Sequence, residues 1–133
     1  MEIKEYTVFN EDEIKRLYTA VGWKAYTDDM AALRRGYENS LIVLGAYEED
    51  TLIDIIRAVG DGSTVVFIQD ILVFPEKQRA GVGTALIKAV LERYKNVRQI
   101  QLTTDNTPKT LTFYRSLGFR ELSEAGMCGL IKM

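Results

Sequence analysis

The residues best suited to chemistry lie in PEKQRAGVGTAL, positions 75 to 86, where two glycines one residue apart precede an apolar helical pattern. A glycine turn that opens a helix aims backbone N–H groups and the positive end of the helix at one point, an arrangement that binds phosphate. Gly81 and Gly83 let the backbone approach such a ligand with no Cβ in the way, and Lys77 and Arg79 add charge at the rim. Asp70 is the only ionisable residue in the apolar run TVVFIQDILVF. It either faces a cleft or pairs with a partner at the sheet such as Arg57.

Two familiar phosphate-binding turns do not fit this stretch. A P-loop needs Lys and then Ser or Thr directly after its last glycine, and Gly83 is followed by Thr84 and Ala85. A dinucleotide turn needs a third glycine for close helix–strand packing, and position 86 is Leu. Asp105 stands near the distance expected of the ribose-binding acid, but a hairpin precedes the strand, whereas a dinucleotide fold opens with this unit.

The elements that position the turn follow from periodicity. EIKEYTVF reads as an opening strand, and Asn10 with Glu13 forms a helix-starting capping pair. Ile14, Leu17, Tyr18 and Val21 recur at helical spacing, with Gly22 as the stop. A second short helix starts at Thr27, with Met30, Leu33 and Tyr37 on one side. SLIVLGAY and TLIDIIRAV form an antiparallel hairpin through EED, and GDGS turns the chain into TVVFIQDILVF, the central strand. Leu86, Ile87, Val90, Leu91 and Tyr94 share one face of a helix, and QIQLTT is the strand to which this crossover returns, parallel and right-handed. Thr107 caps a last helix with Pro108 at its first position and Gly118 at its stop, and FRELSEAGMCGLIKM supplies one or two closing strands. The expected fold is one α+β domain over residues 1–133. Its sheet is mixed and mainly antiparallel, with a central parallel crossover pair and helices on both faces.

Composition narrows the function. The 133 residues carry 17 basic and 19 acidic side chains, well mixed, for a formal charge of −2. That gives no footprint for nucleic acid or an anionic membrane. The charged N-terminal stretch is unlike a secretory signal, and no apolar run approaches the roughly 20 residues that span a bilayer, so a cytoplasmic location is expected. Cys128 is the single cysteine and there is no histidine, which removes Ser/His and Cys/His nucleophile pairs and His-based zinc sites.

With the elements in order, Gln78-Arg79-Ala80-Gly81-Val82-Gly83 matches the pattern Q/R-x-x-G-x-G/A, and TFYRSLGF at 112 to 119 matches Y-x-x-x-G-F at the end of a last helix. The chain thereby resembles the GCN5-related N-acetyltransferase superfamily over nearly its whole length, as a small single-domain member. The resemblance implies acetyl-CoA as cosubstrate and no metal. Its pyrophosphate would lie on Gln78, Arg79, Ala80, Gly81, Val82, Gly83 and Thr84. Its pantetheine arm would lie between the strands ending at Val73 and at Thr103, bonded to the backbone of Leu72 and Val73. The reaction implied is direct attack by a primary amine with no covalent enzyme intermediate, and a main-chain N–H near the end of the central strand would polarise the thioester carbonyl. Tyr114 stands at the family's tyrosine position as the acid for the departing thiolate, since a phenol of pKa about 10 keeps its proton at neutral pH. Its alternative is an aromatic packed beside Phe113 with the hydroxyl at the surface.

The amine must lose a proton, because a lysine-like amine of pKa about 10.4 is almost wholly protonated near neutral pH. Gln69 and Asp70 are the candidates on the central strand, and Asp70 carries the charge. Strict alternation would put the two on opposite faces, so that only one faces substrate. Trp23 and Tyr26 are candidates for an aromatic acceptor wall, with Asp28 or Asp29 attracting a cation; the alternative is that Trp23 only packs on the sheet. The acceptor class is a small amine or an exposed protein amine, and sheet edges near the C-terminus allow a homodimer. The chain departs from the family pattern at two positions. Thr107, with Asn106 before it, stands where a cofactor-touching Asn is common, and Asp54 stands where glycine is common, either reshaping the acceptor site or facing solvent. The competing function is a non-catalytic CoA-binding sensor or regulatory domain.

Overall fold

Asn10 starts the first helix through a relay rather than by reciprocal pairing with Glu13. In the computed structural model, which describes residues 1–73 and 81–133, Asn10 Oδ1 accepts from the Glu13 N–H at 3.0 Å. The Tyr6 hydroxyl bridges the other two groups, accepting from the Asn10 N–H at 3.1 Å and donating to Glu13 Oε1 at 3.0 Å. After strand β1 (Glu2–Glu5), helix α1 (Glu11–Ala20) buries Ile14, Leu17 and Tyr18. Where the sequence suggests one helix from Thr27 there are two, α2 (Lys24–Thr27) and α3 (Met30–Glu38). Asp29 separates them, its carboxylate accepting from the Ala32 N–H at 3.0 Å as the cap of α3.

Strands β2 (Ile42–Glu48), β3 (Thr51–Gly60), β4 (Val65–Val73) and β5 (Gln99–Leu102) complete a sheet of order β1-β2-β3-β4-β5. All neighbours are antiparallel except β4 and β5, which are joined in parallel by the crossover helix α4 (Val82–Arg93). This is the expected mixed, mainly antiparallel sheet. Helices α1 and α3 cover one face, burying Leu33 and Tyr37 with Val43, Leu52, Ile55 and Leu72. Helix α4 supplies Val82, Leu86, Ile87 and Val90 to the other.

One irregularity in β4 changes the face of a candidate residue. Arg57 pairs with Asp70 and Ala58 with Ile68, so Gln69 is an extra residue without a partner on β3. A bulge resets the two-residue alternation. Gln69 and Asp70 therefore both serve the side of α1 and α2, where Gln69 bonds Tyr26 and Asp70 bonds Tyr18. The expectation of opposite faces is thereby corrected.

The chain divides into two compact units, Met1–Thr103, to which all of these elements belong, and Thr104–Met133. In the second, α5 (Pro108–Ser116) starts on the Thr107 hydroxyl, which accepts from the Thr110 N–H at 3.3 Å, and Gly118 follows it at φ 94°. The closing strands expected after it are not formed. Arg115 binds Glu121 at 2.7 Å and Glu124 at 2.5 Å, and Leu122–Ala125 between and beside these acids is a 3-10 helix. Pairing with one arginine from a single short turn favours helical over extended backbone there.

Candidate active site

Pairing between β4 and β5 runs from Val65 with Gln99 to Ile68 with Leu102. Beyond it, residues Asp70 to Val73 have β3 on one side and, among the described residues, no strand on the other. An unpaired strand edge can take an extended ligand as an added strand. Leu72 and Val73 lie on this edge, the first side chain buried and the second half-buried.

Helix α4 starts at the same end of β4. Gly81 is its N-cap in the left-handed conformation, φ 80° and ψ 6°, and among the described residues no side chain caps the helix. The first intrahelical bond runs from the Ala85 N–H to Gly81 O. The N–H groups of Val82, Gly83 and Thr84 precede it and have no helical partner. A Cβ built on Gly83 would lie 3.4 Å from Val73 Cγ2 and 3.8 Å from Ile71 Cδ1, so the first turn of the helix rests on the end of the strand. Free donors at a positive helix end, beside an open strand edge, fit a ligand that joins a pyrophosphate to an amide-bearing arm. Residues 74–80, with Gln78, Arg79 and Ala80 of the motif, lie outside the described residues.

On the opposite face of the sheet, Asp70 occupies the paired position that the sequence left as one of its two options. It is 1 % exposed, and its Oδ2 accepts from Arg57 Nε at 2.8 Å and from the Tyr18 hydroxyl at 2.8 Å. The Tyr18 and Tyr37 hydroxyls are 2.9 Å apart. Because the single Tyr18 proton goes to Asp70, Tyr37 is the donor in that second bond. Asp70 Oδ1 is buried with no hydrogen-bond partner among the described residues. Burial, and then the neighbouring Tyr37 and Asp70, push the Tyr18 pKa far up, so it remains a donor. The Arg57 guanidinium also lies 5.3 Å from the centre of the Tyr37 ring, in a space that Gly36 leaves free. Tyr18 and Tyr37 read in the sequence only as apolar helix positions. The available signal was tyrosine at two core positions opposite a strand with a lone Asp.

The acceptor candidates converge above this network. Gln69 Nε2 donates to the Tyr26 hydroxyl at 3.0 Å, and the Tyr26 ring is 6.1 Å from that of Trp23 and 5.2 Å from that of Tyr18. Trp23 is 38 % exposed. Burial raises the Tyr26 pKa, with Gln69 opposing and the Asp70 charge adding to the rise. Asp29, by contrast, is committed to capping α3.

In the second unit, Tyr114 is half-buried, with Phe113 and Phe119 edge-on at 5.0 and 5.8 Å. Burial raises its pKa, opposed by a hydrogen bond with Thr104, so the phenol keeps its proton. Asn106 is exposed, and Thr107 serves as the cap of α5. Asp54 is 0 % exposed, which removes the option that it faces solvent; its Oδ1 accepts from the Ile55 N–H at 2.6 Å while Oδ2 is buried with no partner among the described residues.

A family model described as "Acetyltransferase (GNAT) domain" matches residues 5–129. The chain belongs to the GNAT family. A solved GNAT-family acetyltransferase from Streptococcus pneumoniae TIGR4 is 39 % identical, with a TM-score of 0.89 over 99 % of this chain and 96 % of that one. The Arabidopsis thaliana protein named GCN5-related N-acetyltransferase 1, chloroplastic, is 31 % identical over 83 % of this chain and 56 % of its own length. This GNAT chain spans about three fifths of the length of the curated relatives it matches. An aminoglycoside 6'-N-acetyltransferase solved in complex with coenzyme A shares the fold, at 18 % identity and a TM-score of 0.66 over 89 % of this chain and 74 % of that one. Among the described residues no helix is long and apolar enough to cross a membrane.

Proposed function

We propose that this GNAT chain moves an acetyl group from acetyl-CoA to a primary amine by direct attack. The observation that carries the reading is the uncapped first turn of α4 resting on the end of β4 where that strand loses its β5 partner. Coenzyme A in the aminoglycoside 6'-N-acetyltransferase structure supports the choice of ligand. When bound, acetyl-CoA supplies an acyl thioester, and everything else falls to the chain. The N–H groups of Val82, Gly83 and Thr84, with Gln78, Arg79 and Ala80 of the motif, hold the pyrophosphate, and the backbone of Leu72 and Val73 aligns the arm. A β4 main-chain N–H polarises the thioester carbonyl. Trp23, Tyr26 and Gln69 hold the acceptor amine, whose proton passes to solvent water at this exposed edge. Asp70, paired with Arg57, has no surface with which to touch the amine; it acts by fixing the Tyr18 hydroxyl, and the Tyr26 ring packs on Tyr18. Tyr114 gives its proton to the departing sulfur, and Asn106 and Thr107 lie next to the cosubstrate.

The test is thermal unfolding of the purified protein with acetyl-CoA, CoA, NAD and ATP in parallel. A ligand at about 100 times its dissociation constant stabilises by about 2.7 kcal/mol. A shift with acetyl-CoA that is lost in Gly83→Glu, followed by thiol release with an amine, is the expected result. Binding without transfer to any amine of a screened panel would leave the sensor reading in its place. A larger shift with NAD or ATP would overturn both.

A further inference from the structure

Asp54 is a buried acid that the reaction above does not use. It pairs across the sheet with Val73, and cross-strand partners present their side chains to the same face. Val73 Cγ2 is the atom that a Cβ on Gly83 would meet, so Asp54 belongs to the face on which the first turn of α4 rests. Two independent features thus meet at one end of the molecule's first unit. Among the described residues, the helix end has no capping side chain, and a fully buried carboxyl on the face beneath it has one oxygen with no partner. Arg57 and Asp70, the other buried charged residues described, pair with each other on the opposite face.

We propose, on the reading of α4 as the acetyl-CoA turn, that Asp54 is a positioning residue of that turn whose protonation state sets cosubstrate affinity. As a neutral acid it leaves the positive helix end free for the pyrophosphate. As a carboxylate it places a negative charge behind the same turn, where low dielectric screens it little, and it opposes a second anion there. Burial pushes the Asp54 pKa up to about 8, against the lowering effect of the Ile55 N–H, which brings the change into an accessible range. The charged residues on the packed elements are Glu48 on β2, Arg57 on β3 itself, Asp70 on β4, and Lys88, Glu92 and Arg93 on α4. Burial and the Ile55 amide, not these charges, set its titration. Linkage makes the effect reciprocal, so binding the anion at pH 8 draws a proton onto Asp54.

The experiment is calorimetric titration of acetyl-CoA into the wild type, Asp54→Asn and Asp54→Val between pH 7 and 9.5, each in two buffers of different ionisation heat. Acetyl-CoA carries no free thiol, so the sulfur does not titrate in this range. The wild type is expected to lose about tenfold in affinity across the range and to take up a fraction of a proton near pH 8, while both variants show a flat profile and no Asp54-linked uptake. Equal pH profiles and equal proton uptake in wild type and Asp54→Asn would overturn the proposal while leaving the cosubstrate reading intact. No binding of acetyl-CoA by folded wild type at pH 7 would remove both.

Discussion

At the scale of single residues the sheet carries two buried carboxyls under opposite regimes. Asp70 has a guanidinium and a hydroxyl on one oxygen, so its charge is compensated. Removing Arg57 leaves that charge buried and unpaired, and Arg57→Met is expected to cost about 3–5 kcal/mol, most of it recovered in the double variant with Asp70→Leu. Urea unfolding of the two singles and the double closes the cycle, and a double variant no more stable than Arg57→Met would show that the pair is not the source of the loss. Asp54 has no cation paired with it among the described residues, and its folded pKa, raised to about 8, exceeds the ordinary carboxyl value of about 3.9. Between those values the native state holds a proton that the unfolded chain has released, so stability falls as pH rises from 4 to 8 and levels off above. The slope approaches about 1.4 kcal/mol per pH unit. Asp54→Asn, which has no such proton, is expected to abolish this part of the fall, read from denaturant unfolding at pH 5 and pH 8.

At the scale of elements, the two glycines at the start of α4 answer to different constraints, one to backbone conformation and one to packing on β4. Gly81 has φ 80° with nothing among the described residues within 4 Å of its Cβ position, so Gly81→Ala strains the backbone without a clash against them. The left-handed conformation costs an L-residue about 1–2 kcal/mol, and the melting temperature should fall accordingly. Gly83 has ordinary helical backbone and 3.4 Å of room toward Val73 Cγ2. Gly83→Ala is therefore expected to hold or raise the melting temperature and to leave acetyl-CoA binding nearly unchanged, because its methyl packs on Val73 and Ile71 beneath the turn; a Gly83→Ala protein that binds much more weakly would show that the ligand depends on that packing. The sequence made this turn legible because glycine spacing and the apolar period of Leu86, Ile87 and Val90 are local signals. Thr107 and Pro108 of α5 were legible for the same reason. The bulge at Gln69 was not, since it depends on the register between β3 and β4, a relation between distant segments that leaves no mark on alternation within TVVFIQDILVF. The relay through Tyr6 at the start of α1 and the network of Tyr18, Tyr37 and Asp70 were hidden likewise. A tyrosine at a helical core position reads as apolar until its hydroxyl has a partner. The C-terminal stretch misled in the other direction, because its apolar residues suggested strands while the ion pairs of Arg115 favoured a 3-10 turn.

At the scale of the whole molecule, each compact unit carries its own candidate residues. The first unit contributes donors, an open strand edge and a fixed buried charge, all of which act on binding and orientation. The second contributes Tyr114, whose ring is held by Phe113 and Phe119 and whose hydroxyl is set by Thr104. Tyr114→Phe keeps the ring contacts and removes only the hydroxyl, so unfolding and acetyl-CoA affinity should change little. If the phenol supplies the proton to the leaving sulfur, kcat falls by about a hundredfold or more, the usual weight of one general acid. The loss should shrink for an acyl donor whose thiol is more acidic, since a better leaving group needs less protonation. Steady-state thiol release from two acyl thioesters of different thiol acidity, measured for both proteins, reads this directly. A deficit of the same size with both donors would assign Tyr114 to packing or orientation. An unchanged kcat would move the acid elsewhere in the chain, while the cosubstrate site on α4 and β4, which rests on separate residues, would stand.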